Sequence, residues 1–534
     1  MIGGKRIMKK ILYTLMALAA LSLTSCNEDL LNTNPTDKVS GETMLQTTDG
    51  GYMALNGMIR FFWQWGQTTT GNYHQCFGPQ SYNLMADLMG EDMVMSAQGS
   101  GWFWFDYLYN VKSRWNSTTW RPYDAWNYYY TIISNANYII NGKEGMKGAT
   151  DDIDYIIGNA YAFRAYAYAY CAMTFARSYI GHEDRLSIPI YTEPTFAGTS
   201  GKARSTNREV FAQAMNDINE AISLLGTKAQ QHCSHFDQYV ANGLKARIAL
   251  YMGDYQVAHD AAAIAVKGGS FAFDKDFHYN DATDKSVLWG AEIIQAQGTT
   301  NPQFLVHMDI RYNNGGGYGG KARKCASAWL YNKMAASDAR TKWWNYETLQ
   351  DNKTKGYQQW KFQFADPSNT YTGADHIFMR APEMQLIIAE TACRLGNESE
   401  AKAALNELMK TRQEDYDCSA KTGTALGKLT TDETGSLLEE IILQRRIELW
   451  GEYGRVYDIK RLRQGFKRTA DMGHPIAALL NNLHTDDPET FDWVLTFPSK
   501  EIDANDLILQ NPTGSYPTNE DLEGDDPSKA PKKE

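Results

Sequence analysis

The stretch Glu448-Leu449-Trp450-Gly451-Glu452-Tyr453-Gly454-Arg455-Val456-Tyr457-Asp458-Ile459-Lys460-Arg461 sets charged residues at helical intervals. Glu448, Glu452, Arg455 and Asp458 recur at i, i+4, i+7 and i+10, which predicts that they share one face of a helix. Such a row suits a network of charge-assisted hydrogen bonds that docks the helix onto the rest of the fold. The same residue types could serve catalysis, but no nucleophile or base accompanies them, so a structural role is expected.

Outward from this stretch, helical periodicity dominates. Thr206-Asn207-Arg208-Glu209 reads as a capping box. It precedes an apolar face of Val210, Phe211, Ala214, Ile218, Ala221, Ile222 and Leu225. Asp154 to Tyr179 forms a second long pattern that alternates Ala with Tyr around Arg164. Two other segments share a finer one. Ala246, Leu250, Gly253, Ala258 and Ala261 bracket the turn Gly253-Asp254, and Ala389, Cys393, Gly396, Ala401 and Ala404 bracket Gly396-Asn397 at the same offsets. Small residues at fixed places let two helices pack closely while Gly ends the first, which is the physics of the tetratricopeptide helix pair.

The two units are far apart in the chain, so a scaffold with long insertions is expected rather than a simple solenoid. The insertion from about Gly268 to Ala374 is rich in Gly, Asn, Asp and aromatics, and a second aromatic, loop-rich region runs from about Phe61 to Trp126. The expected fold is mainly α: a tetratricopeptide-like helix-pair scaffold with long loop-rich insertions and little β. Residues 513–534 turn polar and read as a disordered tail.

A hydrophobic fraction of 43% and a charged fraction of 22% fit a soluble globular body. The net charge of −11 argues against nucleic acid, which calls for a basic face. At the N-terminus, Lys9 and Lys10 precede the apolar run Ile11 to Leu23, too short for a membrane-spanning helix of about 20 residues. The run closes on Leu23-Thr24-Ser25-Cys26, which resembles a lipobox. Residues 1–25 then form a lipoprotein signal peptide, opening at Met1 or Met8, and Cys26 becomes the acylated first residue of an exported chain. Two or more acyl chains on one cysteine suffice for stable anchoring. Cys76, Cys171, Cys233, Cys325, Cys393 and Cys418 remain, an even number that permits disulfides a chain of this length does not need.

The signature stretch resembles that of the SusD/RagB family, E-L-x-x-E-G-x-R-W-x-D-L-x-R. Phe497-Pro498-Ser499-Lys500-Glu501 and Leu509-Gln510-Asn511-Pro512 resemble the family's closing motif. Thr47-Thr48-Asp49 with Gly51-Tyr52 and Leu55-Asn56-Gly57 is similar to its first helix, and Trp126-Asn127-Tyr128-Tyr129-Tyr130 with Asn135-Ala136-Asn137 to the next. Three positions depart from the pattern: Tyr453 stands where it has Gly, Gln444 replaces a usual Glu, and Asp506 a usual Pro. The resemblance divides the chain into an N-terminal region, 26–230, with aromatic loops, and a C-terminal region, 231–512, with the insertion at about 268–374.

The resemblance implies a surface-exposed outer-membrane lipoprotein, anchored through Cys26, that binds glycans without catalysis. It implies delivery of oligosaccharides to a SusC-like, TonB-dependent transporter, with no cofactor. Asn27-Glu28-Asp29 resembles the surface-export signal of Bacteroidetes lipoproteins. Sugar rings call for exposed aromatic faces with amides and carboxylates for the hydroxyls. The 14 Trp, 32 Tyr and 20 Phe supply the faces. Trp102, Trp104, Tyr107, Tyr312, Tyr318 and Trp329 are the candidate stacking residues, with Asp106, Asn313 and Asn314 for hydroxyls.

Two other patterns point to different chemistry. Gly315 to Lys321 fits G-x-x-x-x-G-K after a strand-like stretch, Phe304 to Ile310, but Ala322 stands where a phosphate loop needs Ser or Thr. His232-Cys233-Ser234-His235 could chelate a metal, yet no carboxylate sits at a telling spacing and a solvated loop is expected. A peptide-binding, RagB-like lid and a glycoside hydrolase with two facing carboxylates are the competing functions.

Overall fold

A computed structural model describes residues 41–529 apart from 65–69, 97–100, 111–119, 197, 295–302, 314–316, 346–355, 371–373 and 518–523. The lipobox, Cys26 and Asn314 lie outside the described residues.

The principal helices are α1 (Thr48–Trp63), α2 (Pro79–Met89), α3 (Trp120–Asn141), α4 (Thr150–Phe175), α5 (Asn207–Leu225), α6 (Gln238–Met252) and α7 (Tyr255–Ala265). They continue as α8 (Ala381–Arg394), α9 (Glu398–Met409), α10 (Leu437–Glu448), α11 (Arg455–Leu462) and α12 (Ser499–Ala504). The strands are short: β1 (Met93–Met95), β2 (Val287–Ala291), β3 (Lys324–Ala326), β4 (Trp344–Asn345), β5 (Tyr357–Gln359) and β6 (His376–Arg380). They form an antiparallel sheet in the order β1-β3-β5-β4 and a separate antiparallel pair, β2-β6. The mainly α fold with little β is the one expected.

The helix pairs form as their patterns require. Gly253 (φ +78°) and Gly396 (φ +83°) end α6 and the turn after α8 in left-handed conformations. In each, the next backbone N–H reaches back to a helix carbonyl at 2.9 Å, Asp254 to Ala249 and Asn397 to Ala392. The Asp254 and Asn397 side chains then cap α7 and α9 by accepting from Val257 and Glu400. Ala246, Ala258, Ala389 and Ala401 are fully buried between the helices. The units, separated by the whole insertion, meet where α7 packs on α8.

The capping box forms at α5, with Thr206 and Glu209 exchanging bonds. Helix α4 is buried around almost its whole girth, as a core helix without a polar face must be. Its one interior charge, Arg164, forks onto Asp217 at 2.6 and 2.8 Å and onto Asn137 at 2.8 Å. Most of the aromatic excess is core: Phe62, Phe163, Phe236 and Phe378 pack within 5.1 Å or less of a partner ring around buried Trp289 or each other. The six cysteines among the described residues are free thiols.

The signature stretch is not a single helix. Helix α10 ends at Glu448, and Gly451 (φ +80°) and Gly454 (φ +100°) turn the chain before α11 begins at Arg455. The periodic spacing holds, but two left-handed glycines override it. The docking role survives the break. Glu448 accepts from Arg412 (2.8 Å), Arg380 (3.2 Å) and Arg340 (3.4 Å), all buried. Glu452 pairs with Arg380 and with Lys361, whose ammonium also donates to the carbonyls of Glu448 and Trp450 and so pins the turn. Arg455 and Arg446 bind Glu91 and Asp92, and Asp458 bridges Arg445 and Arg461. Burial would raise the Glu448 carboxyl, but the three guanidiniums outweigh it and hold it well below the usual range. Tyr453 lies buried beneath the Arg445 and Arg247 guanidiniums, and Gln444 accepts from Arg340.

The polar C-terminus is partly seated, contrary to the expectation of disorder from residue 513. Asp525 is buried, its carboxylate on Arg177 at 2.7 Å and its carbonyl accepting from the Leu186 N–H.

Candidate carbohydrate-binding site

Between the polar turn at Thr70–Asn72 and α2, a short helical turn presents Tyr73 and His74. The His74 ring stacks on the Trp102 indole, centroids 4.6 Å apart and nearly parallel at 5°. Tyr318 closes the other side, its hydroxyl on His74 Nδ1 and its ring 6.3 Å from Trp102. Behind Tyr318, Tyr312 and His307 pack edge-on at 5.6 and 5.1 Å. Trp102 and His74 are half-buried, whereas Tyr73 is exposed. Burial lowers the pKa of His74, so the ring is neutral at neutral pH and offers an uncharged face.

The backbone explains why Trp102 turns outward. Gly101 (φ +95°) and Phe103 (φ +71°) flank it in left-handed conformations, splaying successive side chains. Phe103 is driven into the core beneath the Arg121 guanidinium, and Phe105 emerges 48% exposed. The Trp102 N–H donates to the Gly317 carbonyl at 3.2 Å. A Cβ added at Gly317 would come within 2.7 Å of the Cδ1 and Nε1 atoms of the indole, so this close approach needs glycine.

The sequence candidates separate accordingly. Trp102 and Tyr318 come together, with Tyr312 buried behind them, and Asn313, the next residue in the chain, is exposed. Trp104, Asp106 and Tyr107 turn into the interior instead. Asp106 takes a two-pronged bond from Arg121 at 3.0 and 2.8 Å, and the Tyr107 hydroxyl contacts His474 at 2.6 Å. These bonds are spent on packing, which withdraws the three residues from a surface site. Trp329 lies against Arg446 and Lys333, at 4.5 and 4.9 Å, and so belongs with the charged lattice. His74, Tyr73 and Phe105 were missing from the sequence candidates. The pair Tyr73-His74 directly follows the polar loop, which was the available signal.

The phosphate-loop pattern lacks its setting. Phe304–Met308 is a short helix, not a strand, and Gly319 and Gly320 close a tight turn through bonds to Val306 and Tyr312. The histidine-cysteine loop does meet a carboxylate. Strand β2 carries Glu292 to His232, 3.1 Å from Nε2, while Nδ1 accepts from the Ser234 N–H. The ligand atoms of His232, Cys233 and Glu292 lie within 4.8 Å of one another, a juxtaposition that sequence spacing could not reveal.

A model of the SusD family matches residues 268–513, and a second, described as starch-binding associating with outer membrane, matches residues 79–250. SusD-like protein P38 of Formosa agariphila is 21% identical over 514 residues, covering 85% of this chain and 91% of the relative. The crystal structure of a SusD-like carbohydrate binding protein from Bacteroides vulgatus shares the fold with a TM-score of 0.71 and 22% identity, covering 86% of this chain and 97% of that one. Surface glycan-binding protein A from Bacteroides thetaiotaomicron, solved in complex with laminarihexaose, gives a TM-score of 0.62 at 15% identity, covering 86% and 98%. With two models of this family matching in chain order over residues 79–250 and 268–513, the chain belongs to the SusD/RagB family.

Proposed function

We propose that the protein is a non-catalytic oligosaccharide binder that captures glycan at the His74–Trp102–Tyr318 cluster. It would be held to the outer membrane by lipidated Cys26, face the cell exterior and pass its ligand to a SusC-like, TonB-dependent transporter. The observation that carries this reading is the half-open, uncharged stacked face of Trp102 and His74 in a chain of this family. A sugar's C–H face packs on such a surface, and the exposed Asn313 and Tyr73 supply polar groups at its edge. A structural relative is a glycan-binding protein seen with laminarihexaose, which agrees with the reading. No helix among the described residues is long and apolar enough to cross a membrane.

Titration of the mature protein with a panel of oligosaccharides tests the proposal. Dissociation constants between about 1 μM and 1 mM are expected for one glycan class, equivalent to roughly −8 to −4 kcal/mol. Trp102→Ala should weaken that binding about tenfold or more, and no new reducing ends should appear on incubation. Binding of peptides but not glycans, or release of reducing ends, would overturn the reading.

A further inference from the structure

Away from the Trp102 cluster, the outward face of α3 lines an open groove with a volume of about 530 Å³, in the range of small-molecule sites. Asn127, Thr131, Ser134 and Asn135 follow one another along this face at helical spacing. Each is half-buried, and none is hydrogen-bonded through its side chain to another described residue. Two amides and two hydroxyls therefore face the groove with donors and acceptors unspent.

The opposite wall is built from residues 189–196 and 198–201, and α3 straps the first stretch in place. Tyr130 and Tyr138 donate their hydroxyls to the carbonyls of Pro189 and Thr195, each at 2.7 Å. Asn137 donates to those of Tyr191 and Glu193 at 2.7 and 3.1 Å. The wall is thus fixed before any ligand arrives, which lowers the ordering cost of binding. It carries Phe196, 65% exposed, whose ring meets Tyr138 edge-on at 5.7 Å and presents an apolar face on the groove. Along the third side, Lys500 sits over the Tyr123 ring at 4.3 Å, and Glu501 is engaged by the Trp126 indole N–H at 3.2 Å. The groove carries no net charge bias from these two residues.

We propose that this groove is a second binding subsite for neutral oligosaccharide, separate from the Trp102 cluster. Amides and hydroxyls that both donate and accept, set beside flat aromatic faces, match a polyhydroxylated uncharged ring better than a peptide terminus or a phosphate, which would call for a dedicated charge. The inference rests on the glycan-binding reading above. Helix α3 joins the two places: near its N-terminus Arg121 braces Asp106 and the Gln75 carbonyl beneath the Trp102 segment, and its outer face forms the groove. A long glycan held at both would gain avidity over a short one.

The test uses the mature protein and the glycan class that wild type binds, as short oligosaccharide in calorimetry and as polysaccharide in affinity electrophoresis. The Asn127→Ala/Asn135→Ala double variant and, separately, Phe196→Ala on an exposed residue should each reduce the oligosaccharide stoichiometry from two to one. Each should weaken polysaccharide retention about tenfold, with circular dichroism unchanged. Trp102→Ala should remove the other site and leave one. Stoichiometry and retention unchanged in both groove variants, with binding lost entirely in Trp102→Ala, would overturn the second subsite and leave the proposed function standing. Binding that survives Trp102→Ala but fails in the groove variants would keep the groove and overturn the assignment of the Trp102 cluster. A wild type that binds no glycan would remove both.

Discussion

Around Glu448 the protein buries charge, and around Trp102 it leaves aromatic surface half open. By composition alone the reverse would be expected, with charges solvated and rings in the core. In the lattice every carboxylate meets two or more guanidinium or ammonium groups, so burial strengthens the pairing rather than stranding a charge. At Trp102, two left-handed residues prevent the ring from following Phe103 inward. The contrast shows that role follows from what a side chain is denied: water in the first case, a core position in the second.

The sharpest way to break this contrast is Glu448→Ala. It would leave Arg340, Arg380 and Arg412 without a shared partner in a dry site, and an expected loss of about 3–5 kcal/mol should appear in urea denaturation. A loss below about 1 kcal/mol would mean the lattice is ornamental. Acid probes the same region. Burial opposes ionisation of Glu91, but Arg455 and Arg446 hold it down to about 2. Its contribution is complete above about pH 4.5 and is lost as pH falls toward 2. Burial lowers His235 to about 4 and His376 to about 3, so both resist protonation in the fold and begin to cost stability below about pH 6.5. Denaturation midpoints should therefore decline gently as pH falls below about 6.5 and fall steeply below about 4.5.

Gly454→Ala sharpens the comparison within the signature. A Cβ there meets Tyr457 at 2.8 Å and Ala86 at 3.1 Å at φ +100°, so a loss of roughly 2 kcal/mol or more is expected. Trp102→Ala should cost about tenfold in glycan affinity, near 1.4 kcal/mol, while moving the denaturation midpoint far less than Glu448→Ala does. A large fall in stability would place Trp102 with the core. Gly396→Ala is the mildest. Its φ is +83° but nothing lies within 4 Å, so only backbone strain of about 1 kcal/mol should be measured.

What the sequence disclosed was local. The capping box at Thr206 and the two glycine-ended helix pairs depend on residues a few positions apart, so their patterns carried the geometry. The break between Glu448 and Arg455 was also written in Gly451 and Gly454, but charge periodicity masked it. Partners across the fold left no local trace: Glu292 at His232, or Glu91 and Asp92 at Arg446. In Gly101–Tyr107 the run of aromatics was legible but its sorting was not. The left-handed Phe103 decides which rings turn inward, and nothing in its side chain announces that conformation. Among the described aromatic-loop candidates, Trp102, Tyr318 and Tyr312 gather in one cluster.

The pairing of Arg446 and Arg455 with Glu91 and Asp92 spans 354 to 364 residues of chain. Closing loops of that length costs entropy that is recovered only when both ends are present. The region around α2 therefore cannot reach its final charge balance until the last quarter of the chain has emerged, for its carboxylates would otherwise lie buried without countercharge. Folding should be slow and strongly cooperative, with partial chains remaining open and protease-sensitive until synthesis is nearly complete.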